Sequence, residues 1–66
     1  MTGTESGTVV EFDSAAGIGV IDAAGDRYRF HCVEIADGSR EIAVGTDVSF
    51  DVLAKFGRYE AADIRS

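Results

Sequence analysis

The sequence predicts an all-β fold, a single small antiparallel barrel of five strands. Three observations favour it. Short runs rich in β-branched and aromatic residues alternate apolar and polar side chains, glycine-containing turns separate these runs, and no amphipathic stretch of about ten or more residues interrupts them. The chain has 66 residues. A chain of this length buries only about 60% of the surface that its unfolded form exposes, so we expect one domain and a thin core.

Each strand is predicted from its own pattern of side chains. The first run, T-V-V-E-F, has the β-branched and aromatic composition of a strand, the second carries two glycines that leave one face open, and the third, R-Y-R-F-H, alternates strictly. The fourth run, V-S-F-D-V, alternates again, and the last ends in A-A-D-I-R. The predicted strands are residues 8–12, 17–21, 27–31, 48–52 and 60–65.

The remaining segments are predicted as connections. Residues 1–6 are polar and are expected to form a flexible N-terminus, with the barrel domain covering residues 7–66. Residues 33–44 form a long connection with room for one helical turn, and residues 55–59 are predicted as a loop with two aromatic and two basic side chains. The alternation places these side chains in one core: Val9, Ile21, Tyr28 or Phe30, Val48, Phe50 and Ile64.

Charge and composition restrict the function. The chain carries 12 acidic and 6 basic residues, a net charge of −6, and a uniformly acidic surface repels nucleic acid. The N-terminus has neither the basic region nor the apolar run of a signal peptide, and no stretch approaches the ~20 apolar residues of a membrane span. We therefore expect a cytoplasmic protein.

Catalysis and metal binding are not expected. His31 and Cys32 are neighbours in a predicted strand, so their side chains point to opposite faces and cannot form a nucleophile–base pair. One histidine and one cysteine are too few for a structural zinc site, and a lone cysteine cannot form an internal disulfide. The sequence thus predicts a protein that is not an enzyme and has no cofactor.

Several motifs, in order, resemble those of the cold-shock domain family. Residues 7–13 read G-T-V-V-E-F-D, which is similar to the family's G-x-V-K-W-F-N. Residues 16–21, A-G-I-G-V-I, resemble its first ribonucleoprotein motif, K-G-F-G-F-I, and residues 28–32, Y-R-F-H-C, resemble its second, V-F-V-H-F. Residues 48–50 and 61–64 resemble its later V-x-F and A-A-N-V. The resemblance, to bacterial-type members, implies a five-stranded antiparallel Greek-key OB-fold barrel that binds single-stranded RNA or DNA.

The chain departs from this family at the aromatic side chains on which unpaired bases stack. His31 is retained, and Phe12 lies beside a lost position. The other positions of the family's platform hold Glu11, Ile18, Val20, Arg29 and Cys32. Stacking on an aromatic ring contributes about 1–3 kcal/mol per base. Because most of these rings are missing, the nucleic-acid binding that the resemblance implies is expected to be weak and of low sequence specificity.

The candidate binding residues combine what remains of the platform with nearby cations. A period of two places Arg27, Arg29 and His31 on one strand face, where protonation of the imidazole would add a third cation. Phe56 either stacks on a base or folds back as core. The complete set of candidates is Phe12, Ile18, Val20, Arg27, Arg29, His31, Lys55, Arg58 and Tyr59.

Two other interpretations remain open for the same residues. Arg27 and Arg29 either bind phosphate or form a solvated face paired with carboxylates. Ile18 and Val20 are either exposed aliphatic side chains without a role or a surface that binds a partner protein or a second copy. The alternative function is therefore an OB-fold module that has lost nucleic-acid binding and acts as a protein-interaction domain.

Overall fold

The chain folds as a closed five-stranded β-barrel, which confirms the predicted fold class. A computed structural model describes residues 4–38, 40–55 and 57–66, and for Lys55 and Arg58 it describes the backbone. The strands follow the order β1-β2-β3-β5-β4 around the barrel, and a 3-10 turn, Cys32–Glu34, follows the third strand. The strands are β1 (Thr4–Asp13), β2 (Ile18–Ala23), β3 (Asp26–His31), β4 (Asp47–Lys55) and β5 (Arg58–Arg65).

The pairing of the strands is antiparallel except at one place. The neighbours β1–β2, β2–β3, β1–β4 and β4–β5 are antiparallel, whereas β3 and β5 are parallel and share the single register pair Arg29↔Glu60. An isolated parallel bridge, Ile35↔Ile64, lies further along the same junction. We call this β3–β5 junction the seam of the barrel.

The first strand pairs with two neighbours in turn. Residues 4–8 of β1 pair with residues 47–51 of β4, and residues 8–13 pair with β2. The register shifts between Val9 and Glu11, which is the irregularity that a β-bulge produces. The bulge bends β1 so that one strand closes both sides of the barrel.

The predicted core is confirmed. Val9, Ile21, Phe50 and Ile64 are at most 1% exposed, and Val48 is also buried. Of the two aromatic candidates on β3, Phe30 is buried, while Tyr28 is half-buried with its ring tilted against Phe50 at a centroid distance of 5.3 Å. Four further hydrophobic side chains among the described residues are also buried: Ala23, Ile35, Ala61 and Ala62.

Gly19 creates the space that two aromatic rings occupy. Phe12, Gly19 and Phe30 are register partners across β1, β2 and β3, on the inward side of the strands. A Cβ atom on Gly19 would lie 2.3 Å from Cζ of Phe30, so only glycine fits there. The two phenyl rings instead stack across the glycine, with centroids 6.1 Å apart and planes inclined by 14°.

Two predicted boundaries are wrong. The strand β1 begins at Thr4, within the segment predicted to be flexible, because residues 4–6 pair with β4 and the Thr4 hydroxyl donates a hydrogen bond to the Asp51 carboxylate at 3.1 Å. Within the predicted loop at 55–59, Lys55, Arg58 and Tyr59 belong to strands, and Lys55 and Arg58 are register partners of β4 and β5. Gly57, at φ +81°, supplies the left-handed conformation that this turn requires.

Candidate functional site

The outer face of β1, β2 and β3 carries most of the predicted binding residues in cross-strand rows. One row is Glu11, Val20 and Arg29, which are direct register partners on the three strands. Directly opposed side chains in a sheet have Cβ atoms about 4.5–5.5 Å apart. A carboxylate, an aliphatic side chain and a guanidinium therefore stand next to one another on this face.

A second row lies beside the first. Asp13, Ile18 and His31 are register partners, with His31 exposed at the end of β3. The Asp13 carboxylate also accepts hydrogen bonds from the backbone N–H groups of Ala15 and Ala16, at 3.0 and 3.2 Å. These bonds hold the β1–β2 turn and keep the carboxylate at the rim of the face.

The basic stripe on β3 has the predicted orientation. Arg27, Arg29 and His31 are exposed, and they alternate with Tyr28 and Phe30, which point inward. Side-chain period two therefore holds along the whole strand.

One cation of the stripe faces a carboxylate on β1. The Arg27 guanidinium lies 3.9 Å from the Glu11 carboxylate, and both side chains are about two-thirds exposed. An exposed pair at this distance contributes little stability, typically ~0–1 kcal/mol. The sequence left open whether Arg27 pairs with a carboxylate. In the structure it forms a long, solvent-exposed ion pair with Glu11.

A shallow groove of about 530 Å³ runs over this face. Ile18, Val20 and Arg29 lie in it together, with Glu11 and Asp13 alongside. Its full lining is Glu11, Phe12, Asp13, Ala16, Ile18, Gly19, Val20 and Arg29. We call it the platform groove, because Glu11, Ile18, Val20 and Arg29, which hold predicted stacking positions, all line it.

Comparisons with known proteins assign no family. No protein-family model matches the chain, and no curated protein matches its sequence. Within the residues that the structure describes, no helix is long and apolar enough to cross a membrane. The described residues also contain no group of three or more His, Cys, Asp or Glu side chains that could hold a metal ion.

Phe12, one of the candidate binding residues, lies on the inner side of β1 and not on the outer face. Its ring is half-buried and stacks on Phe30 over Gly19, and the side chain also lines the groove. The bulge between Val9 and Glu11 is the cause, because it inverts which residues of β1 point inward. Cys32 is likewise half-buried against the core.

Tyr59 is exposed but lies outside the platform groove. Its side chain is 64% exposed and lines a separate cavity of about 460 Å³ at the seam, with Asp26, Arg27, Tyr28 and Arg29. We call this the seam cavity. The side chains of Lys55 and Arg58, and the whole of Phe56, lie outside the described residues, so their predicted roles stay predictions.

Tyr28 is the residue of this region that sequence reasoning missed. Its position in an alternating strand indicated only a core residue, and nothing in the sequence placed it beside Tyr59. Partial burial raises the pKa of the Tyr28 phenol, and the carboxylates of Asp26 and Glu5 and the phenol of Tyr59 raise it further. The hydroxyl is therefore a hydrogen-bond donor at neutral pH.

Proposed function

We propose that this protein binds single-stranded RNA or DNA, weakly and with little sequence preference, through the outer face of β2 and β3. The observation that carries the proposal is the pair of rows that set Val20 beside Arg29 and Ile18 beside His31. OB-fold barrels bind oligonucleotides on the face of their second and third strands, and the chain has such a barrel. Such binding is what a cytoplasmic, cold-shock-like protein of bacterial type would perform.

The side chains on the outer face of β2 and β3 can contact both the phosphates and the bases of a nucleic acid. The Arg29 guanidinium can attract a phosphate and can also lie flat on a base, while Val20 and Ile18 offer aliphatic contact without a π-face. Each aromatic ring absent from the platform removes about 1–3 kcal/mol per stacked base. Binding through this face is therefore weak.

Charge limits the affinity further. Glu11 stands in the same row as Arg29 and close to Arg27, so a phosphate approaching either guanidinium also meets a carboxylate. With two or three phosphate contacts, the slope of log K against log salt is about −1 to −2. We expect a Kd weaker than about 1 µM at physiological salt, which corresponds to less than about 8 kcal/mol of binding free energy.

The test is a titration of fluorescently labelled oligo-dT and oligo-U, followed by anisotropy at several salt concentrations. The label is necessary because the chain has no tryptophan. In Arg29→Gln, the salt slope is expected to become shallower by about one. The matched control is Arg40→Gln, which makes the same charge change on an exposed loop residue and is expected to leave the slope unchanged. Nanomolar binding with a steep slope, or equal effects of the two variants, would contradict this assignment.

A protein partner is the second candidate, and the acidic charge of the chain favours it. The net charge is −6, and the half-exposed Ile18 and Val20 lie between the carboxylates of Glu11 and Asp13 and the β3 cations. Such a surface, apolar with charges of both signs at its rim, also suits a second copy or another protein. Dimerisation in sedimentation experiments that Val20→Ser abolishes, together with no oligonucleotide binding, would favour this candidate.

A further inference from the structure

The seam is the least closed part of the barrel wall. One register pair, Arg29↔Glu60, joins β3 to β5, and within the described strands residues 26–28 have no register partner on β5. The seam cavity of about 460 Å³ lies at this point. Its volume falls in the ~300–1,000 Å³ range of pockets that hold small ligands.

Two tyrosines give this cavity an aromatic lining. Among the residues that the structure describes, Tyr59 is the one aromatic side chain with a largely exposed ring, since the other exposed large apolar side chains are Val33 and Val44. Tyr28 forms another wall, and its contact with Phe50 fixes the ring in place. An exposed ring beside a fixed one is a surface on which a planar group can stack.

The charges around the cavity have a definite arrangement. Arg27 and Arg29 line it from β3, and the Asp26 carboxylate lies at the start of the same strand. A planar ligand that also carries a negative charge would therefore place its ring against Tyr59 and its anion against the guanidinium groups. A nucleotide has this combination of groups.

We infer that the seam cavity binds one nucleobase, stacked on Tyr59, with the adjoining phosphate held by Arg27 or Arg29. The inference rests on the proposed function and adds a stacking site that the platform groove lacks. On the β5 side of β3, residues 26–28 precede the register pair Arg29↔Glu60 and span about 10 Å of strand, which is too short for an added peptide strand of ordinary length. A single base is a better match to that length.

The test compares two variants at one position. In Tyr59→Ala, the affinity for labelled oligo-dT is expected to fall about five-fold or more, because the stacking ring is lost. Tyr59→Phe keeps the ring and is expected to bind within about two-fold of the parent. Val44→Ala shortens another exposed apolar side chain, 61% exposed and outside the cavity, and serves as the matched control.

Mapping by NMR makes the result independent of any loss of stability in the variants. In ¹⁵N-labelled parent protein, oligo-dT and thymidine 5′-monophosphate are expected to shift the amide signals of residues 26–29 and 59–60. If the parent binds but shifts only residues 18–20 and 31, and Tyr59→Ala binds as well as the parent, the seam inference is wrong while the proposed function stands. If the parent binds no oligonucleotide, both are wrong.

Discussion

At the scale of single residues, Tyr28 belongs to both the core and a cavity. Its ring packs at 5.3 Å from the ring of Phe50, while its side chain also lines the seam cavity. The raised pKa follows from this double position, because partial burial and the carboxylates of Asp26 and Glu5 all disfavour the phenolate. Ionisation of Tyr28 is therefore harder in the folded protein than in the unfolded chain.

Tyr28→Phe is predicted to protect the fold at alkaline pH. A raised pKa in the folded state stabilises the fold below the unfolded pKa of about 10, and this contribution is lost as pH rises through the folded pKa. As pH rises above about 10, the parent should therefore lose stability more steeply than Tyr28→Phe, which keeps the ring and lacks the titrating group. Urea unfolding followed by circular dichroism across that range measures the difference, and parallel pH curves would refute the prediction.

The faces of individual residues were predictable where a strand is regular. Alternation placed Arg27, Arg29 and His31 outside and Phe30 inside, and the structure agrees. Alternation does not hold in β1, where Val9 and Phe12 both pack toward the core, because the bulge after Val9 changes which residues point inward.

The last strand shows the same kind of limit. Ala61 and Ala62 are consecutive and both buried, next to a register shift in β4–β5 and to Asp63 at φ +52°. Strict alternation forces a choice between the two alanines. No pattern in the sequence predicts the two register shifts, in β1–β2 and in β4–β5, because a register shift depends on the partner strand.

At the scale of elements, β1, β2 and β3 form one surface whose side chains can be exchanged as a set. Glu11, Val20 and Arg29 are adjacent in one row, and Ile18 is next in the second row. All four side chains are exposed or half-exposed, so larger rings extend into solvent and do not overpack the core. The rows thus provide the spacing that an aromatic platform needs.

The quadruple variant Glu11→Trp, Ile18→Phe, Val20→Phe and Arg29→Phe is predicted to bind oligo-dT at least ~100-fold more tightly than the parent. Stacking at ~1–3 kcal/mol per base outweighs the loss of the Arg29 cation. Anisotropy of the labelled oligonucleotide measures the gain once circular dichroism shows that both proteins are folded.

Glu11→Gln separates the two contributions to this gain. It removes the repulsive charge without adding a ring, and we expect at most about two- to five-fold tighter binding. A folded quadruple variant that binds no better than Glu11→Gln would show that the four positions do not form one stacking surface.

At the scale of the whole molecule, a thin core carries the fold. The fully buried large side chains are Phe30, Phe50, Ile21, Ile64 and Val9. A domain of this size has about 3–5 kcal/mol of net stability without further cross-links. The strands and this core were predictable from local patterns, whereas the β1–β4 pairing and the parallel seam were not, because both join residues far apart in the sequence.

Phe50→Ala is predicted to unfold the protein at 25 °C. Removing a fully buried phenylalanine costs about 3–5 kcal/mol, as much as the whole net stability. Val44→Ala, at a largely exposed position, is expected to change the free energy of unfolding by less than about 0.5 kcal/mol. Thermal and urea unfolding of both variants test this prediction. A cooperative unfolding transition of Phe50→Ala close to that of the parent would contradict it.

The double pairing of β1 has a consequence for the speed of folding. The strands β1–β2–β3 and the β4–β5 hairpin can each pair with sequence neighbours, but the Thr4–Asp51 contact joins residues 47 positions apart. Forming this contact costs loop-closure entropy before the strand pairing contributes any stability. Barrels with such long-range contacts fold in milliseconds to seconds. We therefore expect closure of β1 onto β4 to be among the slow steps of folding, and before it occurs β4 presents an unpaired edge to other chains.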